Sequence, residues 1–355
     1  MSYTNGLDNP ELYFQTKLYT GTGSEQAITL DGSENMQPDW VWVKCRSHAE
    51  NHVIHDSVRG ATKVLHSDTT DAEYTVAQGL KSFDSDGFTL GTSNFMNQSS
   101  RTFASWNWKA GTTGSGTTTG SGTGKAYSYS VSTASGFSIT KFVGNGSAGH
   151  TIPHNLGAVP KIIILKDLDD VTHWNVYSEA TGNTRSLLLS DHGVGGTSSG
   201  YWNNTTPTSS VFTLGSDADL NGNDGNFIAY CFAEKKSYSK FGSFSGNNSS
   251  NGTFIYTGFR PAWVMIKRTD SAGATHDWFI FDNKRNTGNP NDDYLAANEN
   301  SAETTSGRNV IDFLSTGFKC REAYDDFNAS GSSQIYMAFA ESPFVNSNGV
   351  PNNAK

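Results

Sequence analysis

The chain repeats itself three times at a long period, and this limits its folds more than any other feature. A proline-led hydrophobic run ending in lysine occurs as Pro38-Asp39-Trp40-Val41-Trp42-Val43-Lys44, Pro160-Lys161-Ile162-Ile163-Ile164-Leu165-Lys166 and Pro261-Ala262-Trp263-Val264-Met265-Ile266-Lys267. A histidine follows each at a similar distance (His52, His173, His276), then a Phe-centred strand around Phe88, Phe212 and Phe318. An alternating aromatic strand closes each unit, around Trp106, Tyr230 and Tyr336. Each unit also opens with an aromatic turn: Leu18-Tyr19-Thr20-Gly21, Lys141-Phe142-Val143-Gly144 and Ile255-Tyr256-Thr257-Gly258. The closing lysines are separated by 122 and 101 residues. Solenoid periods are roughly 20–50 residues, so each unit is instead the size of a small β-sandwich.

The repeated runs alternate, carry β-branched or aromatic residues, and are bounded by Gly, Asn, Asp and Ser, which is the signature of strands. The run Ile162-Ile163-Ile164-Leu165 is continuously apolar and predicts a strand buried on both faces. Single helical turns are expected near Asp71-Ala72-Glu73 and over residues 291–298. The expected fold is all-β: three tandem antiparallel β-sandwich (jelly-roll or lectin-like) domains. They are expected over residues 16–110, 127–236 and 237–344, with an N-terminal arm at 1–15 and a C-terminal tail at 345–355. Residues 111–126 are rich in Gly, Ser and Thr and read as a flexible linker.

Composition excludes several classes. Aromatic residues make up 12%, too many for a disordered chain. A net charge of −9 argues against nucleic-acid binding, which needs a basic face. No apolar run approaches the ~18 residues of a membrane-spanning helix, so membrane insertion is not expected. The opening MSYTNGLDNPELYF lacks the basic and apolar parts of a signal peptide. Three widely spaced cysteines, Cys45, Cys231 and Cys320, predict free thiols rather than a disulfide framework.

The segments Asp39-Trp40-Val41-Trp42-Val43-Lys44, Asp56-Ser57-Val58-Arg59-Gly60-Ala61 and Asp84-Ser85-Asp86-Gly87-Phe88-Thr89-Leu90-Gly91 resemble a repeat of tail-fibre-like structural proteins of marine tailed bacteriophages. Gly149-His150-Thr151-Ile152-Pro153-His154-Asn155-Leu156-Gly157 and Ala340-Glu341-Ser342-Pro343-Phe344 are similar to further stretches of the same proteins. The resemblance implies a virion component built from lectin-like or concanavalin-like sandwiches, and it brings no catalytic residues. Repeat three has Asp282-Asn283-Lys284-Arg285 where repeat one has Asp-Ser-Val-Arg-Gly-Ala, so no ligand site common to all three units is expected.

Several local patterns could carry chemistry. Gly196-Thr197-Ser198-Ser199-Gly200 matches the nucleophile-elbow letters, but the elbow needs an apolar strand before it and a helix after it. A loop is expected instead. Gly122-Thr123-Gly124-Lys125-Ala126 lacks the leading glycine and trailing hydroxyl of a phosphate-binding loop. Cys45, His48, His52 and His55 cluster in sequence, but only His52 has counterparts in the other repeats, so packing is expected rather than zinc. Asp217, Asp219 and Asn221, with Gly222 and then Asp224, form the first half of a calcium loop, without its usual glutamate. The competing reading is an ordinary Asp/Asn/Gly turn. Tyr201 and Trp202 lie in a polar loop and suit either sugar stacking or a subunit contact. Paired carboxylates such as Asp84 and Asp86 read as turn formers.

The functional expectation is therefore a non-enzymatic virion protein. Its favoured role is a tail-fibre or receptor-binding component touching host glycans; the alternatives are a capsid-surface decoration protein or a polysaccharide depolymerase. Its expected partners are other virion proteins, a host receptor or glycan, and further copies of itself, three if it is a fibre. The apolar trio Leu12, Tyr13 and Phe14 in the arm is expected to dock on a neighbouring subunit or on the particle.

Overall fold

The structure, a computed structural model, describes residues 6–271, 276–305, 310–323 and 325–352. It is all-β, with helices of no more than four residues among the described residues. Each repeat contributes a large antiparallel sheet with the same central order. In repeat one the order is Phe14–Thr20, Thr102–Trp108, Trp40–Cys45, Val53–Asp56. In repeat two it is Phe137–Val143, Asn226–Phe232, Ile162–Asp167, Asn175–Ser178. In repeat three it is Ser239–Ser245, Ser333–Pro343, Phe259–Arg268, Phe279–Asp282. The register is shared: Trp42 pairs with Trp106, Ile164 with Tyr230 and Met265 with Met337. These proline-to-lysine strands are thus topologically equivalent, as their sequences predict.

A three-stranded sheet accompanies each large one. Its two constant members are the Phe-centred strand and a partner, as in Gly87–Leu90 with Gln26–Thr29, Val211–Leu214 with His150–Pro153, and Gly317–Cys320 with Phe254–Tyr256. A separate hydrophobic cluster joins each small sheet to its own large sheet. In repeat one Val41, Val43 and Phe103 meet Ile28, Phe88 and Leu90 there.

The other face of every large sheet is buried too. Successive strand side chains point to opposite faces, so Trp40, Trp42, Trp106 and Trp108 leave repeat one on the side away from its small sheet. They meet Ile162, Ile164, Tyr230 and Phe232 of repeat two, and Trp263, Met265, Met337 and Phe339 of repeat three, in one shared cluster. Aromatic contacts join all three pairs of repeats. Ring centroids lie 4.7 Å apart for Trp40 and Tyr230, 5.6 Å for Trp108 and Trp263, and 5.8 Å for Phe232 and Phe339. Aromatic pairs of this kind add about 0.5–1.5 kcal/mol each beyond simple burial. Burial on both faces is accordingly a property of all three proline-to-lysine strands, not of the second alone.

Two expectations about the chain's organisation are corrected here. Residues 111–126 are not a flexible linker. Thr112–Thr117 pairs along its length with Ala126–Ser132 and extends the large sheet of repeat two. Gly114 and Gly116 lie opposite Tyr129 and Tyr127, and a Cβ on either would sit 2.5 or 2.8 Å from those rings. The glycines make room for tyrosine rings laid across the strand. Residues 6–15 of the arm are likewise folded onto the chain, while residues 1–5 lie outside the described residues. Asn9 caps the short turn Pro10–Leu12, and Phe14 starts a strand and is buried in the shared cluster against Trp108 and Phe339. Tyr13 packs edge-on to Tyr238 and Leu12 is half-buried. Phe14 and Tyr13 are therefore spent on the chain's own core, whereas Leu12 lies outside that cluster.

Candidate functional site

The three repeats are locked together by hydrogen bonds that run in one direction around a ring. The residue before the fourth strand of each large sheet is His52, Trp174 or Trp278, one position before Val53, Asn175 and Phe279. Trp174 Nε1 donates to the His66 carbonyl of repeat one at 2.7 Å. Trp278 Nε1 donates to the Leu188 carbonyl of repeat two at 2.8 Å. His52 Nε2 lies 2.9 Å from the Ala296 carbonyl of repeat three, which closes the circuit. The acceptors are equivalent, since each follows a leucine (Leu65, Leu187, Leu295) that faces the fourth strand. Trp42 Nε1 donates to His52 Nδ1 at 2.8 Å, which leaves the ring proton on Nε2 for Ala296. Burial, reinforced by the charge of Lys44, holds the His52 pKa well below the usual imidazole range and keeps it neutral.

The repeated histidine is thus corrected. His52 corresponds to Trp174 and Trp278, not to His173 and His276. Those two serve separately, His173 beside Ser190 and His276 beside Asp326. The opening turn of repeat three is also displaced from its expected position. The partner of Tyr19 and Phe142 in register is Phe244, whereas Tyr256 lies on the small sheet.

A second set of contacts repeats with one gap. Asp56 and Arg59 form a fully buried ion pair, and so do Asp282 and Arg285. Each aspartate also accepts its own arginine's backbone N–H at 2.8 Å. Each arginine reaches a backbone carbonyl (Ile54, Ile280) and a glutamate (Glu73, Glu303). The departure in repeat three therefore keeps the Asp-x-x-Arg frame that matters. Each aspartate further accepts from an aromatic donor of a neighbouring repeat: Asp56 from Tyr230 at 2.7 Å, and Asp282 from Trp106 at 3.0 Å. Tyr230, Trp106 and Met337 are equivalent, as are Asp56, Asp282 and Ser178. Donor and acceptor are lost together in the third junction, where the residues are Met337 and Ser178.

The three terminal lysines are fully buried. Lys44 Nζ donates to the carbonyls of Glu50 and, across repeats, Asn300; Lys267 Nζ donates to those of His276 and, across repeats, His192. Lys166 stays within its own repeat, on Asp167, Asp170 and Thr172. Burial pushes each lysine pKa down to about 8.

The residues singled out from sequence are mostly structural. Trp202 is buried against Tyr177 and Phe212, and Tyr201 is half-buried, so the pair does not form an open stacking platform. Ser198 caps a single helical turn, Ser199–Trp202, by accepting from Gly200 N–H. The helix is one turn long, starts within the elbow letters at Ser199, and uses the Ser198 oxygen as its cap acceptor. In the calcium candidate, Asp217 caps Ala218–Asn221 and accepts from Asp219 N–H, while Asp224 pairs with Lys125. Asn221 Nδ2 donates to Gly215 and Ser147 carbonyls, and its Oδ1 accepts from Asn145 N–H. Asp217, Asn221 and Asp224 are committed to different partners, and the three aspartates do not converge within metal-ligand distance.

Asn221 instead marks a latch that sequence reading missed. Asn97 and Asn328 occupy the same place at the end of one-turn helices. Asn97 bonds Gly91, Ser24 and Thr22 backbone groups; Asn328 bonds those of Glu322, Ser249 and Asn247. The available signal was a buried apolar residue followed by Asn: Met96-Asn97, Leu220-Asn221 and Phe327-Asn328.

Two surface features break the threefold pattern. Phe254 and Tyr256 are 45% and 63% exposed on the edge strand of the small sheet of repeat three. The register puts Ala27 and Thr29, or Thr151 and Pro153, in the other repeats. Tyr256 borders a cleft of about 230 Å³ that is also lined by Glu234 and Lys240, which pair with each other. The second feature lies between repeats two and three, where His192, Asp277 and Glu299 converge.

The chain belongs to the DUF7483 family. That family is described as a domain of unknown function, and its profile matches residues 9–343. The match runs from the cap of the first turn to the end of the last strand, so DUF7483 spans the three interlocked repeats as one unit. No curated protein and no solved structure matches the chain.

Proposed function

We propose that the protein is a non-enzymatic structural component of a tailed-phage particle, acting in a tail-fibre or receptor-binding role at the host surface. The observation that carries this reading is the closed ring of three repeats. Its buried aromatic core and one-way hydrogen bonds make a rigid body with three small sheets directed away from the shared centre. In this reading each repeat is one lectin-like β-sandwich, and one chain supplies the threefold arrangement that a trimeric fibre builds from three. Its partners are other virion proteins, and its place is the virion. The resemblance of the Asp39–Lys44 and Asp84–Gly91 segments to phage tail-fibre-like proteins supports the same reading.

The glycan-contact surface in this reading is Phe254 and Tyr256, not Tyr201 and Trp202. Exposed aromatic faces beside the Lys240 ammonium and Glu234 carboxylate offer a sugar both a stacking surface and hydrogen-bond partners. The test is a glycan array probed with the full-length protein and with Tyr256→Ala. Binding to a defined set of glycans that falls at least tenfold in the variant is expected. Equal binding by both proteins would remove this surface from the reading. Mass spectrometry of purified particles tests virion membership directly, and absence from them would end the proposal. A capsid-surface role is the second reading, favoured by the pseudo-threefold body, which matches a threefold site on a shell. Density for the chain on a shell rather than a tail would decide for it.

A further inference from the structure

We propose that His192, Asp277 and Glu299 bind one divalent ion of the zinc type, clipping repeat two to repeat three. His192 lies in the loop after Arg185–Leu188 of repeat two; Asp277 and Glu299 flank the Trp278 clamp of repeat three. His192 Nδ1 is 2.7 Å from Asp277 Oδ1, and Nε2 is 3.0 Å from Glu299 Oε1. One ligand atom from each residue lies within 4.8 Å of the others. Ligand atoms around a tetrahedral zinc with bonds of roughly 2.0–2.1 Å sit roughly 3.3 Å apart; only one ring nitrogen can face the ion, so loading turns the part-exposed His192 ring and draws both carboxylates to that nitrogen.

Two carboxylates flank one imidazole, a donor set whose charge a divalent ion balances. Asn298 Oδ1 accepts from Trp278 N–H at 2.8 Å, which turns its Nδ2 toward Asp277 (2.7 Å) and His192 Nδ1 (3.1 Å). That donation orients the Asp277 carboxylate, as outer hydrogen bonds do around metal ligands. Lys267 Nζ holds the carbonyls of His192 and His276 together, anchoring the segments that carry two of the three ligands. One imidazole with two carboxylates suits zinc or manganese better than calcium or magnesium, which prefer oxygen alone. All three side chains are partly exposed, leaving open positions for water. At the equivalent places the other repeats carry Asn51 or His173 for Asp277, and Thr69 or Asp191 for Glu299, so the site belongs to one junction only.

The inference is independent of any role in a virion. Its test uses the full-length protein, stripped with EDTA and dialysed against zinc chloride, with metal content and thermal melting measured together. Wild type should retain about one zinc per chain and melt at higher temperature, because an ion bound only to the folded state stabilises it. Glu299→Gln and His192→Gln should each lose the retained zinc and the shift, while melting near the stripped wild type without metal. Manganese should act more weakly and calcium not at all. Zinc retention unchanged in both variants, or no retention by wild type, would overturn the proposal. If His192→Gln misfolds, the Glu299→Gln result alone decides, since that side chain is half-exposed and bears no core packing.

Discussion

The Tyr230 hydroxyl of the second repeat donates a hydrogen bond to Oδ2 of Asp56 in the first at 2.7 Å, with both side chains fully buried. The same oxygen pairs with Arg59. One buried carboxylate therefore serves both the turn of its own repeat and the seam to the next. Burial raises the Tyr230 pKa well above the phenol range, so the hydroxyl remains a donor.

Tyr230→Phe should lower stability by about 1–3 kcal/mol, the usual cost of leaving a buried charged acceptor short of one donor. Arg59→Met should cost more, about 3–5 kcal/mol, because it strands the Asp56 charge. Urea unfolding curves give both values. A Tyr230→Phe loss within experimental error would mean that the seam bond contributes nothing.

Trp278→Phe keeps most of the ring in the shared core but leaves the Leu188 carbonyl without its indole donor. The expected loss is about 1–3 kcal/mol. Trp174→Phe should behave alike at the His66 carbonyl. Amide hydrogen exchange should show faster exchange at both sides of the affected junction; uniform protection with an unchanged midpoint would contradict the one-way ring.

Acid should weaken the fold through its buried histidines. His154 accepts Leu156 N–H on Nδ1 and has Nε2 at the Thr208 carbonyl, an arrangement that requires the neutral ring. Burial lowers its pKa to about 4, and lowers that of His55 to about 3. Unfolded, both would titrate near 6.5. Between those limits the unfolded chain binds the extra protons. Their contribution is thus whole above pH 6.5 and is lost as the pH falls toward the folded values, by up to about 1.4 kcal/mol per pH unit per group. Asp68 acts oppositely: burial raises it to about 7, so its contribution favours folding as the pH falls through that value. His154→Gln isolates the histidine effect, and its stability should fall less steeply than wild type between pH 6.5 and 4. Parallel slopes would refute the assignment.

Residues 112–117 should resist proteases. A flexible Gly/Ser/Thr linker would be nicked quickly, whereas a paired strand is protected. Gly116→Val should restore cleavage, because its Cβ would collide with the Tyr127 ring at 2.8 Å. Rapid cutting of the wild-type segment under mild digestion would contradict the pairing with Ala126–Ser132.

The sequence by itself determined the threefold repetition, the strand class and the equivalence of Trp42, Ile164 and Met265, because two-residue alternation and turn residues are local properties. It could not say what covers the second face of each large sheet. Alternation shows that Trp40 and Trp42 share a face, but nothing local shows that Tyr230 or Trp263 lies against it. Composition made residues 111–126 look like a linker, since the reason for Gly114 and Gly116 lies in tyrosine rings on the next strand. His52 looked like the fellow of His173 because spacing was compared; its real counterparts, Trp174 and Trp278, share only the ability to donate a ring N–H to a neighbour's carbonyl. Only the tertiary structure decided how the ring closes. The contacts that close it join residues 90, 108 and 244 positions apart, and they select side chains by the atom offered at the seam rather than by hydropathy.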